Sequence, residues 1–214
     1  MRLLYLNPNS TEAMTDSMVA VARDTAPDAD VLGWTNHLGP PAIQGPEDGA
    51  AAIKGMLSLL PKARATGVDA IVIGCFDDTG LARMRAAAHC PVIGIGQAAM
   101  SLATLHSDRF GIVTTLDISV PVIAANVDAY GHRQACFGVF ASGLPVLEVE
   151  QGGQAVEDRL AITIATARSR GAGAVVLGCA GMSRLRQRLS TRTGSVLIDG
   201  VVASAFMARA VACA

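Results

Sequence analysis

Gly67-Val-Asp-Ala-Ile-Val-Ile-Gly-Cys-Phe-Asp-Asp-Thr-Gly80 decides the fold, because the chain contains an echo of it at Gly171-Ala-Gly-Ala-Val-Val-Leu-Gly-Cys-Ala-Gly181. Each copy is a short β-branched and aliphatic run bounded by glycines, the pattern of a parallel strand buried on both faces. Each ends by placing one cysteine at the strand's carboxyl end. Cys75 and Cys179 stand 104 residues apart, and the same spacing carries Val92-Ile93 onto Val196-Leu197 and Gly96 onto Gly200. The chain therefore reads as two related halves.

Working outward, strand and helix patterns alternate. Arg2 to Leu6 is an apolar strand that stops at Asn7-Pro8, and Asn9 with Glu12 three residues on has the form of a capping box opening a helix with Met14, Met18 and Val21 on its inner side. Asp30 to Thr35 is a second strand. It runs into Gly39-Pro-Pro-Ala-Ile-Gln-Gly-Pro46, too rich in proline and glycine for regular structure and a candidate lid within the loop 36–46. Residues 47–66 have a helical pattern that Pro61 kinks or ends early, with Gly67 closing it. After the first cysteine come a helix over 81–88, a strand over 91–95 and a helix over 96–106. The second half repeats the order: strand 110–114, helix from about 119, strand 136–140, loop 141–150, helix 154–169, strand 174–177, helix 182–189, strand 196–198 and a tail helix. This alternation predicts an α/β protein of two pseudo-twofold-related lobes, each with a mainly parallel four-stranded sheet flanked by helices. We assign 1–98 plus 203–214 to the first lobe and 99–202 to the second. Ligands bind at the carboxyl ends of strands in such sheets, so the site is expected between the lobes. Hinges are expected at the crossings 96–106 and 199–205.

Composition limits the functions available. The 214 residues are 51% apolar, enough to bury a core in each half, while 16% are charged with a formal net charge of −1, which argues against a nucleic-acid partner. No apolar window is long enough to span a membrane, and the amino-terminal apolar run is too short for a signal peptide, so a cytoplasmic protein without membrane partners is expected. Its apolar excess predicts a homo-oligomer. The five cysteines are odd in number, widely spaced and without a C-x-x-C, unlike a disulfide framework or a zinc site.

A lone cysteine beside a strand is ordinarily a small core hydrophobe. Duplication in register points instead to two thiols facing one small-molecule substrate. A thiol among backbone N–H groups at a helix amino terminus has a lowered pKa and can act as acid or base near neutrality. Two such groups on opposite faces of a carbanion α to a carbonyl exchange its configuration, which is racemisation or epimerisation. The N–H groups at Phe76-Asp77 and Ala180-Gly181 are placed to stabilise the enolate oxygen. Asn9, Ser10 and Thr11, at a strand-to-helix junction, suit either an anionic or carbonyl-bearing ligand or plain capping. No cofactor is expected. Lys54 and Lys62 both fall in a predicted helix away from the strand ends, unsuited to a pyridoxal Schiff base, and Gly94-Ile-Gly-Gln-Ala-Ala99 lacks the third glycine of a dinucleotide loop. The four histidines show no ligand spacing, so no metal is expected.

Asn7-Pro-Asn-Ser-Thr11, Gly74-Cys-Phe-Asp-Asp78, Val113-Thr-Thr115 with Ser119-Val-Pro121, and Gly178-Cys-Ala-Gly-Met182 resemble the hydantoin and allantoin racemase branch of the aspartate/glutamate racemase superfamily. The resemblance covers nearly the whole chain. It implies cofactor-independent racemisation of 5-substituted hydantoins or allantoin, with Cys75 and Cys179 as the two bases. It also implies that Asn9, Ser10, Asp77, Thr114, Thr115, Ala180 and Gly181 hold the substrate, joined by Ile43 of the lid loop and Phe76. Glutamate racemases follow the second cysteine with Thr-His, where this chain has Ala180-Gly181. An aspartate/glutamate-type racemase, a maleate-type isomerase and a two-lobed binding protein without chemistry are the alternatives.

Overall fold

A computed structural model describes residues 1–213; Ala214, the end of the 203–214 segment assigned to the first lobe, lies outside the described residues. The first half runs β1 (Arg2–Asn7), α1 (Glu12–Thr25), β2 (Asp30–Thr35), α2 (Pro46–Ser58), α3 (Leu60–Thr66), β3 (Ala70–Ile73), α4 (Leu81–Ala87), β4 (Val92–Gly94) and α5 (Ile95–His106). The second runs β5 (Phe110–Thr114), α6 (Val120–Ala129), β6 (Cys136–Ala141), α7 (Val146–Gln151), α8 (Gln154–Ser169), β7 (Ala174–Leu177), a 3₁₀ segment (Ala180–Leu185), α9 (Arg186–Thr193), β8 (Leu197–Asp199) and α10 (Gly200–Ala212).

Two four-stranded sheets result, in the orders β2-β1-β3-β4 and β6-β5-β7-β8, with every pairing parallel. The central strands β3 and β7 are buried along their whole length, which is why they read as unbroken apolar runs. Leu4, Leu6, Ile71 and Ile73 turn toward Met56 and Met84 in an outer core of the first lobe, while Val113, Val175 and Leu177 meet Leu160 and Ile164 in that of the second. Between the lobes a third core joins Tyr5 and Val72 to Ile112 and Val176 through the alanine-rich faces of α5 and α10. Tyr5 donates its hydroxyl to the Val201 carbonyl at 3.2 Å, tying β1 to α10. Truncating a fully buried residue such as Ile71 to alanine is expected to cost about 2–5 kcal/mol through lost transfer energy and the cavity left behind.

The repeat holds through β3 and β7, which stand 104 residues apart with their cysteines, and then slips by one. Ile71 pairs with Val92 and its counterpart Val175 pairs with Leu197, so Val92 corresponds to Leu197 and Gly94 to Asp199, a spacing of 105. Other local expectations also shift. No capping box forms at α1: Thr11 is the residue before the helix, and Asn9 instead accepts from the Thr11 N–H through its side chain. The helix expected over 47–66 is two helices broken at Leu59, with Pro61 in the first turn of α3, where a missing N–H costs nothing. The second half of the loop expected over 141–150 falls in the six-residue α7, Val146–Gln151, behind Pro145. The helix expected over 182–189 is the 3₁₀ segment continuing into α9.

Candidate active site

Both cysteines sit two residues beyond their strands, after Gly74 and Gly178, and the backbone fixes them alike. Gly74 donates to the Leu6 carbonyl at 2.9 Å, and Gly178 to that of Val113 at 2.7 Å. These bonds extend the β1–β3 and β5–β7 ladders by one step and turn the chain into the cleft. Cys75 and Cys179 line the same cavity between the lobes. Its volume is about 30 Å³, room for one or two waters.

Burial pushes both thiols up, against the expectation from helix termini. Cys75 lies well above the ordinary thiol range because of burial and the neighbouring Asp77 charge, opposed by the Thr79 hydroxyl, which donates to its sulfur at 3.4 Å, and by the Asp77 N–H. Cys179 is pushed up to about 12 by burial, aided by the charges of Glu150 and Asp77 and opposed by the N–H groups of Gly181 and Met182. The donors at the helix start are thus present, and desolvation outweighs them. Asp77 is itself raised to about 7 by burial and by the Asp78 charge.

Of the residues singled out from sequence, Asn9, Ile43, Phe76, Asp77, Thr114, Thr115 and Ala180 join the two cysteines around the cavity. Ser10 and Gly181 are outside this lining. Ser10 donates its N–H to the Pro40 carbonyl at 2.9 Å and so anchors the lid loop. Gly181 directs its N–H to the Cys179 sulfur, and a Cβ there would come within 3.0 Å of a Glu150 carboxylate oxygen. Met14, Ser119 and Val146 also line the cavity and were not picked out beforehand. Met14 had the spacing of a core residue, Ser119 opened a motif of the resemblance without being given a role at the substrate, and Val146 lay in a segment without visible periodicity. The loop over 36–45 reaches the cavity through Ile43 and is tied to both lobes. Asn36 donates to the Pro8 carbonyl at 2.9 Å, Thr11 to that of Pro41 at 2.7 Å, and the Val146 N–H to the Gln44 side-chain oxygen at 3.0 Å across the lobes.

Each cysteine segment is also gripped from the opposite lobe. Asn126 of α6 and Tyr130, the residue that follows α6, donate to the Asp77 carbonyl at 2.9 Å and the Asp78 carboxylate at 2.8 Å. Ser17 of α1 donates to Glu150, beside Cys179.

Residues 3–208 match the model of the family described as Asp/Glu/Hydantoin racemase. The chain belongs to that family. Among its curated relatives in the family is a hydantoin racemase of Rhizobium meliloti, 44% identical over 98% of this chain and 88% of the relative. Another is a hydantoin racemase of Pseudomonas sp. (strain NS671), 32% identical over 95% of this chain and 82% of the relative. The solved allantoin racemase of Klebsiella pneumoniae superposes with a TM-score of 0.95 at 37% identity, covering 100% of this chain and 88% of that one. The racemase fold and the isomerase class therefore apply to this chain as a whole. No helix among the described residues is long and apolar enough to cross a membrane.

Proposed function

We propose that the protein racemises 5-substituted hydantoins without a cofactor, with Cys75 and Cys179 as the two proton-transfer groups. The observation that carries this reading is the meeting of two strand-end thiols, equivalent in the repeat, at one cavity. One cysteine, as thiolate, removes the proton from C5. The electron pair moves onto the C4 carbonyl as an enolate, and the other cysteine delivers its own proton to the opposite face. The second cysteine is left as the thiolate, so the reverse turnover starts from the product state. Donors for the enolate are available from the backbone N–H groups of Phe76 and Ala180 and from the Thr115 and Ser119 hydroxyls, all at residues that line the cavity.

Among the described residues no arginine or lysine lines the cavity. That favours a neutral ring over the dicarboxylates of an aspartate/glutamate-type racemase or a maleate-type isomerase, which call for bidentate guanidinium partners. Polarimetry with single enantiomers of 5-alkylhydantoins, allantoin, aspartate and glutamate, together with maleate conversion, tests the proposal on protein dialysed free of small molecules. Loss of rotation with the hydantoins is expected. Turnover of only the amino acids or maleate would replace the substrate, and binding without turnover of any compound would move the binding-protein reading ahead.

We also read the protein as a cytoplasmic homo-oligomer, supported by the exposed Leu105 and Phe206 on α5 and α10. Light scattering that found a monomer at every concentration would remove the self-association.

A further inference from the structure

Resting on the hydantoin reading, we infer that Met14, Ile43 and Val146 form a substituent wall that selects alkyl and thioether groups at C5 over the ureido group of allantoin. These side chains reach the cavity from α1, the lid loop and the first residue of α7, and they are only 3%, 5% and 5% exposed. Met14 and Val146 belong to the same apolar cluster as Cys179, whereas Ile43 belongs to the cluster beside Cys75. The wall is thus built from both lobes and adjoins both thiols.

A ureido group carries three N–H donors and a carbonyl that must all find partners when buried. Of the polar side chains that line the cavity, Asn9, which touches Met14, and Thr114 are committed elsewhere, which leaves Asp77, Thr115 and Ser119 for the hydantoin ring. Asn9 accepts from the Asn7 side chain and the Thr11 N–H, both at 2.9 Å, and directs its own amide toward the Met14 sulfur at 3.4 Å. Thr114 donates to the Gly178 carbonyl at 3.1 Å. An alkyl or thioether group asks for no partner and gains from leaving water. Gln44 holds the wall together as a positioning residue. Its side-chain oxygen accepts the Val146 N–H at 3.0 Å, one of the donors a helix start leaves free, while its own N–H is donated to Asp48 at 3.0 Å. That bond ties the loop that carries Ile43 to the start of α7 at Val146 across the lobe boundary.

The test compares kcat/KM of the full-length protein for single enantiomers of 5-isobutylhydantoin, 5-(2-methylthioethyl)hydantoin and allantoin by circular dichroism. Wild type is expected to favour the first two at least tenfold over allantoin. Met14→Gln, close in length but polar, is expected to shrink that ratio at least fivefold, and Val146→Thr, nearly isosteric, to shrink it in the same direction. Gln44→Ala is expected to raise KM for the alkyl substrates severalfold with kcat little changed, and Gln44→Glu, which keeps the acceptor, to restore it. Turnover of allantoin equal to or faster than that of the alkyl compounds would overturn this inference alone, as would a ratio unmoved in well-folded Met14→Gln and Val146→Thr. Failure to racemise any of the three would overturn it together with the hydantoin reading.

Discussion

The segments following the two cysteines start from the same backbone turn and then solve one problem in two ways. Helices α5 and α10 both leave the ends of edge strands and pack between the lobes, so the free N–H groups of their first turns are buried and need an acceptor. In the second lobe Asp199, the last residue of β8, accepts from the N–H groups of Val201 and Val202 at 2.7 and 3.2 Å. In the first lobe the corresponding residue is Gly94, and the acceptor is Asp78, three residues after Cys75, which takes the N–H groups of Gly96 and Gln97 at 2.9 and 2.8 Å. A Cβ at position 94 would lie 2.1 Å from an Asp78 oxygen, so the borrowed cap requires the glycine. Asp78 adopts a left-handed backbone, φ 50°, to reach across.

The swap has a chemical consequence. Cys75 is followed by two adjacent carboxyls, whereas the acid near Cys179 is Glu150, reaching in from α7 across the space that Gly181 leaves open. The thiols are therefore equivalent in fold but flanked by different acids, and burial raises both above the ordinary range. Duplication supplied two strand-end thiols; divergence around them gave each its own acidic neighbours.

The strongest way to break this comparison is to remove one thiol at a time. Cys75→Ala and Cys179→Ala are each expected to lower racemisation by about 10²–10⁴-fold, because acid–base help is lost on one face. In deuterium oxide each variant should still exchange the C5 proton of one enantiomer with retention, and the two variants should prefer opposite enantiomers. Because burial raises both thiols, exchange by either variant should keep rising with pH beyond neutrality. Racemisation by either variant near the wild-type rate would end the two-thiol mechanism, and exchange that levelled off below neutral pH would end the reading of raised thiols.

A second effect is expected in stability. Burial raises the carboxyl of Asp77 from 3.8 to about 7 and that of Asp78 from 3.8 to about 6. A folded state that holds its protons more tightly than the unfolded chain loses stability as pH rises, so their contribution should decline between about pH 4 and 7. For Asp77 alone the decline is on the order of 4 kcal/mol, at about 1.4 kcal/mol for each tenfold change in proton affinity. Asp77→Asn should flatten thermal stability across pH 4 to 8, and it should be more stable than wild type at the alkaline end. A variant whose melting temperature ran parallel to the wild-type curve would refute the assignment of this charge.

Much of the fold was legible because it rests on local patterns. The buried strands announce themselves as glycine-bounded aliphatic runs, and the repetition of Gly-Cys after two of them marks the site before any contact is known. What stayed hidden depends on partners distant in sequence. Val146 becomes a cavity residue through Gln44, 102 positions away, and α7 is too short to show a helical period. The thiols' raised proton affinity follows from enclosure by the opposite lobe, which no spacing reveals, and so the helix-terminus rule alone gave the wrong direction. The one-residue slip between Gly94 and Asp199 was masked by glycines at 96 and 200 that happen to keep the spacing of the cysteines.

That slip yields the smallest and most discriminating prediction. If Gly94 and Asp199 are equivalent, the cap of α5 can be rebuilt in the manner of α10. Asp78→Gly keeps the left-handed backbone accessible while leaving the N–H groups of Gly96 and Gln97 without an acceptor, at an expected cost of about 1–3 kcal/mol. Gly94→Asp alone should cost at least as much, since its side chain would be driven into the Asp78 carboxylate. In the double variant the obstruction is gone and the new carboxylate stands at the strand end, where Asp199 caps α10. The double variant should therefore be more stable than either single one in urea denaturation, a coupling of opposite sign to simple addition. Tyr130, which donates to Asp78, loses its acceptor in the exchange, so recovery should stop short of wild type. If the two losses simply added, the lobes would not share the cap, and the correspondence of Gly94 with Asp199 would be a coincidence of strand pairing.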